Sequence, residues 1–351
     1  MAFNVSRRTA LQIVGGGGAS LAAGRALAQA PPKPGLAVYP VASTVYQTQY
    51  VADKAGFFKD AGLDCKLTQG GSGVKTREII ASGQAEIGIG DVTHPMQLSN
   101  HGRGGRILMP VDTRSNSVIF IIRKDLYDQG IKTLEALADW KRPDGSKSIV
   151  SVSSLGGTNH VWASYYMEVL GLDQKVRWIG TGNVDTMMGT LKTKQVDVLV
   201  NSEAVLKDSI AQGWGALLFD GTDAAIWDKY IGGKVPVTGH FTLQATIDKD
   251  PAKMQAYVSA LWRASQWIKA HSAAEVFDMI EPYVGSTSRE ANIAEIATIQ
   301  KVADYDGRID GASFERGSKV WFREMTGIKP LTIAEIVAPT FIEAARKAFP
   351  G

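Results

Sequence analysis

Cysteine is almost absent from this chain. Cys65 stands alone, so no disulfide can form within the molecule, and the fold must rest on a buried apolar core. Histidine is scarce too: the five at 94, 101, 160, 240 and 271 form no HExxH pair and have no cysteine partners, which argues against a zinc site. No cofactor motif is found. "GGSGVKT" (70–76) lacks the adjacent Gly-Lys of a Walker loop. The serines of "SSLGGTNH" (153–160) do not form a GxSxG elbow. Thr158 and His160 lie two positions apart, so on a helix they do not face each other.

Charge of one sign is missing as well. Residues 1–28 hold Arg7, Arg8 and Arg25 and no acid, so the remainder carries 35 of the 38 basic residues against all 35 acidic ones. That balance leaves no basic footprint for nucleic acid and no polybasic membrane anchor. The apolar run near the N-terminus is too short and glycine-rich to span a membrane. Placed after "SRRTAL" (6–11) and before "ALAQA" (26–30), it reads as a twin-arginine export signal, with cleavage expected after Ala28. The remaining chain, about 320 residues, exceeds one typical domain and fits two lobes.

Short apolar segments alternate with helical ones. Strands are predicted at 35–42, "DCKLTQ", "AEIGIGD" and "RILMPV", with helices at 46–61, 74–82 and 95–102 between them. The pattern restarts after "SVIFIIRKDL" (117–126) with strands "SIVSVS", "VRWIG", "VDVLV" and "GALLFD", and 235–244 is extended again. The last 107 residues read as helical, including a final helix with Ile333, Ile336, Val337, Phe341 and Ala344 on one face. "ASGQAEIGIG" (81–90) and "LKTKQVDVLV" (191–200) echo each other: a helix ends at Gln, passes an acid and enters an apolar strand. Gly83 supplies the left-handed helix stop in the first, and Lys194 takes that seat in the second. Buried strands between helices imply mostly parallel α/β sheets. Two such lobes joined by two extended crossings make a clamshell, whose ligand sits beyond the carboxyl ends of the strands.

"ADKAGFFKDAGLDCKL" (52–67) followed by "ASGQAEIGIGD" (81–91) resembles the periplasmic substrate-binding proteins of nitrate/sulfonate/taurine ABC transporters, a group that includes binding proteins for the thiamine pyrimidine precursor. "GLDQKVRWIGTGNVDTMMGTLKTKQVDVLV" (171–200) matches the second-lobe half, departing from it at Lys194 and Val198. The resemblance implies a type II-like clamshell, with 29–116 plus 245–351 as lobe 1 and 117–244 as lobe 2 including both crossings. It also implies a monomer that captures a small solute in the periplasm and presents it to an ABC permease and ATPase. Ligand classes within reach are nitrate, sulfonates, taurine, pyrimidines and aromatic acids. Polar glycine loops favour an anion, while Tyr39 and Tyr46 leave room for a planar ring.

Clamshell geometry nominates the loops after each strand. On lobe 1 these give Ser43, Thr44, Tyr46, Gln47, Gly71, Ser72, Asp91, Thr93, Arg114 and Asn116. On lobe 2 they give Ser153, Gly156, Gly157, Thr158, Asn159, Asn183, Asn201 and Glu203. Most of these loops run into a helix N-terminus, where free N–H groups suit an anion. Ser43, Thr158 and Asn183 serve equally well as caps of their own helices. Glu203, where the family often has proline, suits either an amino group on a ligand or solvent. An enzyme reading, as a relative of thiamine-pyrimidine synthase, lacks that family's cysteine-rich motif. A sensory binding subunit shares every feature of the transport reading.

Overall fold

A computed structural model describes residues 32–284 and 287–350. The expected export signal lies outside the described residues. Ten strands form in the order β1 Lys33–Tyr39, β2 Leu63–Gln69, β3 Ile87–Asp91, β4 Gly105–Pro110, β5 Ile119–Arg123, β6 Ile149–Val152, β7 Arg177–Gly180, β8 Val198–Asn201, β9 Gly215–Asp220 and β10 Thr238–Leu243. They make two five-stranded sheets, β2-β1-β3-β10-β4 and β7-β6-β8-β5-β9. β3 and β8 are apolar at nearly every position and fully buried, as strands covered by helices on both faces must be.

The sheets are mixed rather than nearly all parallel. β10 runs antiparallel between β3 and β4, and β5 antiparallel between β8 and β9. The cause lies in the chain path. The segment leaving β4 enters the second sheet as β5, and the segment leaving β9 returns as β10, so each sheet receives one strand from a crossing. Thr238–Leu243, expected in the span 117–244, is therefore hydrogen-bonded within the first sheet. The crossings are also tied to each other: the Asp112 carboxylate accepts from Val237 N (2.7 Å) and Thr238 N (3.0 Å), and Val235 N donates to Thr113 O (2.9 Å).

Both sheets have the same spatial order, and the echoed sequences become their third-position strands β3 and β8. Lys194 does adopt the left-handed conformation, with φ +61°, and Gly83 has φ +74°. An L side chain is strained there by roughly 1 kcal/mol. Its ammonium pairs with Asp125 at 3.0 Å, but on an exposed surface, where such a pair contributes little. Lys194→Gly is expected to stabilise the protein by about 1 kcal/mol, seen as a raised urea midpoint at unchanged slope.

Two helical expectations change. The predicted helix 46–61 is broken: a 3-10 turn Thr44–Tyr46 leads into Gln47–Lys54, and Gly56 at φ +75° restarts it as Phe57–Asp60. The final helix splits into Ile333–Ile336 and Pro339–Ala348. Val337 is extended and bridges to Ile107, and Ala338 N donates to Ile107 O at 2.9 Å. The segment thus extends the edge of the first sheet, and Pro339 can only start a new helix.

The helix Pro251–Ala270 packs on Gln47–Lys54, Phe57–Asp60 and Pro339–Ala348, burying Tyr257, Leu261 and Trp262 beside the first sheet. The rest of the C-terminal region does not stay on that side as expected. Gly311–Trp321 packs on the helix Thr158–Val169, with Phe314 and Trp321 in a core shared with Phe120, Val150 and Val198 of the second sheet. Arg289–Val302 touches both the turn Thr44–Tyr46 and the helix Glu203–Ala211. Among the described residues no helix is long and apolar enough to cross a membrane.

Candidate functional site

Strand ends from both sheets open onto one cleft of about 680 Å³, continuous with solvent. Four helices begin at its wall: Gly73–Ala81 from the first sheet, and Thr158–Val169, Val184–Lys192 and Glu203–Ala211 from the second. Each begins just after a strand because a small or capping residue ends the extended run: Ser72, Gly157, Asn183 and Ser202. Ser72 and Asn183 cap their own helices, accepting from Lys75 N (3.2 Å) and Thr186 N (2.9 Å). The helices after Gly157 and Ser202 have no side-chain cap, so their first-turn N–H groups keep their capacity for a bound acceptor.

Eight of the nominated residues line this cleft: Ser43, Tyr46, Ser72, Ser153, Gly157, Thr158, Asn159 and Asn201. Asn159 Nδ2 donates to Val200 O at 2.8 Å, which fixes its side chain against β8. Asn201 Oδ1 accepts from Ser202 N at 2.9 Å. Burial and the nearby Asp91 raise the pKa of Tyr46; among the described residues its hydroxyl meets no hydrogen-bond partner, which leaves it free for a guest. Residues not nominated complete the wall. Pro40, Val41, Val45, Val184 and Met187 supply apolar contact, and Gly73, Ser117, Gly182, Ser202 and Thr238 supply small polar surface. Gly73, Gly182 and Ser202 stand in the loops already singled out. Ser117 and Thr238 were hidden because only the pairing of the crossings brings them there.

The other nominees are placed elsewhere, each for a visible reason. Asp91 is fully buried and joins the two sheets' helices. Its Oδ1 accepts from Thr93 N (2.8 Å) and Thr93 Oγ1 (2.6 Å), its Oδ2 accepts from Trp162 Nε1 (3.2 Å), and the Thr158 hydroxyl lies beside it. Burial raises its pKa, against the pull of these donors. Asp91 and Thr93 therefore pin the cleft from behind. Thr44 turns inward and donates to Glu295 at 2.5 Å. Gln47 and Asn116 line a separate small cavity. Arg114 lies beside Tyr166 with its Nε buried and unpartnered. Asn183 is exposed and spent on its cap. Glu203 bonds Thr298 and pairs with Lys207 at 2.8 Å. Gly71 (φ +92°) and Gly156 (φ +74°) are turn positions, and the Gly156 N–H donates to His160 Nδ1 at 3.0 Å.

Among the described residues no Asp, Glu, Lys, Arg, His or Cys lines the cleft. Such a surface offers hydroxyls, amides, backbone N–H groups and aliphatic contact. Beneath it lies His94, and further along β10 stands His240; both are fully buried, with neither ring nitrogen hydrogen-bonded. A Cβ on Gly73 would come within 2.7 Å of His94 Nε2, so the cleft floor there rests directly on the imidazole. Burial lowers both histidine pKa values to about 3. Between the unfolded value near 6.5 and that lower value, only the unfolded chain takes up the proton, so each histidine destabilises the fold as pH falls. His240→Leu is expected to remove this at one position. From pH 6 down to pH 4, the variant should gain about 1.4 kcal/mol per pH unit on the parent, read from urea melts at each pH.

Residues 29–280 match the NMT1-like family. The chain is 22% identical to YtlA of Bacillus subtilis (strain 168) over 277 residues, 75% of this chain and 74% of that one. Among solved structures it resembles a chain from Bordetella bronchiseptica RB50 (20% identity, TM-score 0.75, covering 91% and 98% of the two chains). It also resembles the periplasmic nitrate-binding protein NrtA from Synechocystis PCC 6803 (14%, TM-score 0.71, 91% and 89%). The desulfurization enzyme DSZB has this fold too (15%, TM-score 0.62, 90% and 99%). The fold alone therefore does not separate binding from catalysis.

Proposed function

This chain belongs to the NMT1-like family, and from that premise we propose that it is the extracytoplasmic solute-binding subunit of an ABC importer, working as a monomer beside a permease and an ATPase. It captures a small anionic solute, of the nitrate, sulfonate or aromatic-acid kind, between two lobes that close on it. The observation that carries this reading is the meeting of four helix N-termini, from both sheets, on one cleft that no charged side chain lines among the described residues. One such terminus contributes about 0.3–1 kcal/mol, or about 2 when partly buried. Several together, with the apolar wall, are needed for the roughly −8 kcal/mol of micromolar binding. Contacts from both sheets are also what a closure mechanism requires, since only a guest that prefers the closed form can shift the equilibrium.

The lining supports capture over chemistry. Ser153 has no acid–base partner in the cleft wall, and the hydroxyls of Ser43 and Ser72 accept from backbone N–H groups. The test is a thermal-shift screen of the chain without residues 1–28 against nitrate, short sulfonates, pyrimidines and aromatic acids. A true guest at 100 times its Kd adds about 2.7 kcal/mol, which for this size raises Tm by roughly 4 °C. Unchanged melting with every class would end the proposal.

A further inference from the structure

The loop that brings Ser153 and Gly157 to the cleft is a tight turn over residues 154–157. Gly157 N donates to Ser154 O at 3.1 Å, and Gly156, third in the turn, has φ +74°. Leu155 before it keeps a negative φ, which makes this a type II turn. The N–H at its middle, on the Leu155–Gly156 peptide, donates to Nδ1 of His160 at 3.0 Å. A backbone N–H can only donate, so Nδ1 is the acceptor and the ring's proton sits on Nε2.

His160 stands in the first turn of Thr158–Val169, half-buried, with its ring T-shaped against Trp178 of β7 at a centroid distance of 5.2 Å. The charged groups that face it are Asp173, which accepts from Trp178 Nε1 at 3.0 Å, and Arg323, which pairs with Glu168 at 2.6 Å. Burial holds the imidazole pKa below the ordinary 6.5, with Asp173 opposing this and Arg323 adding to it. The ring is therefore neutral at pH 7 and becomes a cation only in acid. A proton on Nδ1 sets donor against donor. Glycine populates negative φ as readily as positive, so the middle peptide can turn over into a type I turn, and the Leu155 carbonyl then accepts from the imidazolium.

We propose that His160 is a positioning residue for anion capture: its neutral ring holds the 154–157 turn in the form that serves the cleft, and protonation turns the middle peptide over and weakens binding. This rests on the solute-binding reading. The link to the guest is Gly157, which directly follows the turning peptide, lines the cleft and sets where the first-turn N–H groups of Thr158–Val169 point. His160 stands behind this wall rather than in it, so it acts through the turn.

The test titrates nitrate, methanesulfonate and benzenesulfonate, all ionised throughout, calorimetrically into parent, His160→Asn and His160→Phe protein from pH 7.5 to pH 5. Asn places an amide oxygen where Nδ1 stands and takes up no proton; Phe keeps a ring and loses the acceptor. At pH 7.5 His160→Asn should bind within about two-fold of the parent and His160→Phe about five-fold more weakly, the worth of one hydrogen bond. In acid the parent's affinity should fall, approaching about ten-fold per pH unit below the ring's pKa, while that of His160→Asn falls less. In the parent without ligand, nitrogen NMR at pH 7.5 should show Nδ1 bare of its proton, and the Gly156 amide should shift with the ring's own midpoint. Parallel pH profiles in parent and His160→Asn would overturn this inference and leave the binding-protein reading intact. So would an affinity that climbs as the imidazolium forms and attracts the anion, or a proton found on Nδ1 at pH 7.5. If none of the three anions binds the parent at pH 7.5, the anion-capture reading fails and this inference with it.

Discussion

Gly157→Asp is expected to abolish anion capture, raising Kd at least 100-fold, while leaving the fold intact or slightly firmer. Gly157 is the N-cap of Thr158–Val169, at φ −83° and ψ 172°, a conformation open to any L residue. It supplies no capping side chain, whereas aspartate is among the best residues for that seat. An added Cβ meets Ser154 Oγ at 2.7 Å, a side-chain end that can rotate, and Ser154 O at a tighter but tolerable 3.2 Å. The new carboxylate would occupy the N–H groups a guest anion needs and place a fixed negative charge beside it. At about 4 Å and an effective dielectric near 20, that repulsion alone is about 4 kcal/mol, more than the roughly 2.7 kcal/mol a 100-fold loss requires. Calorimetry with the best anion from the thermal screen reads the loss, and a melt without ligand reads the fold. Undiminished binding would place the anion elsewhere in the cleft.

The second large effect is on stability, with binding as its control. Asp197→Ala is expected to cost about 3 kcal/mol. Its carboxylate, with no exposed surface, accepts from Arg123 (3.0 Å), Arg142 (2.6 Å) and the Ile149 backbone N–H (2.9 Å). Removing one member of a buried ionic group commonly costs about 3–5 kcal/mol, because the partners stay buried and unpaired. Here Arg123 retains Asp125 and Arg142 retains the Lys194 carbonyl, which sets the low end. For a cooperative unit of this length that lowers Tm by roughly 5 °C. Asp197 precedes β8 while Asn201 closes its far end at the cleft, so affinity for the guest should be unchanged. A drop in affinity that matched the drop in stability would mean that the two ends of the strand are coupled.

The alternation of buried strands and helices was legible in the sequence because it is local: apolar runs, caps and glycine stops carry it. The Gln–acid–strand echo went further and located equivalent third strands, down to the strained backbone of Lys194. The loops lining the cleft were legible for the same reason. Which side chain within each loop faces inward was not. Asp91 and Glu203 looked like ligand contacts by type, but the protein's own donors take up each carboxylate: Thr93 and Trp162 at the buried Asp91, Thr298 and Lys207 at the partly exposed Glu203. Ser117 and Thr238 reach the cleft only through pairings across more than a hundred residues, which no local pattern encodes. The swapped strands β5 and β10 escaped notice because an antiparallel buried strand reads the same as a parallel one.

Trp162 stacks on Trp227, with ring centroids 5.1 Å apart and planes at 27°, and its indole N–H ends on Asp91 from the opposite sheet. The molecule therefore carries an optical gauge at the seam between its halves. Parting them would strip the indole of its acceptor and admit water to the stacked pair, shifting its emission to the red. If the cleft opens and closes as proposed, that motion would be timed in a stopped-flow fluorimeter with no dye attached.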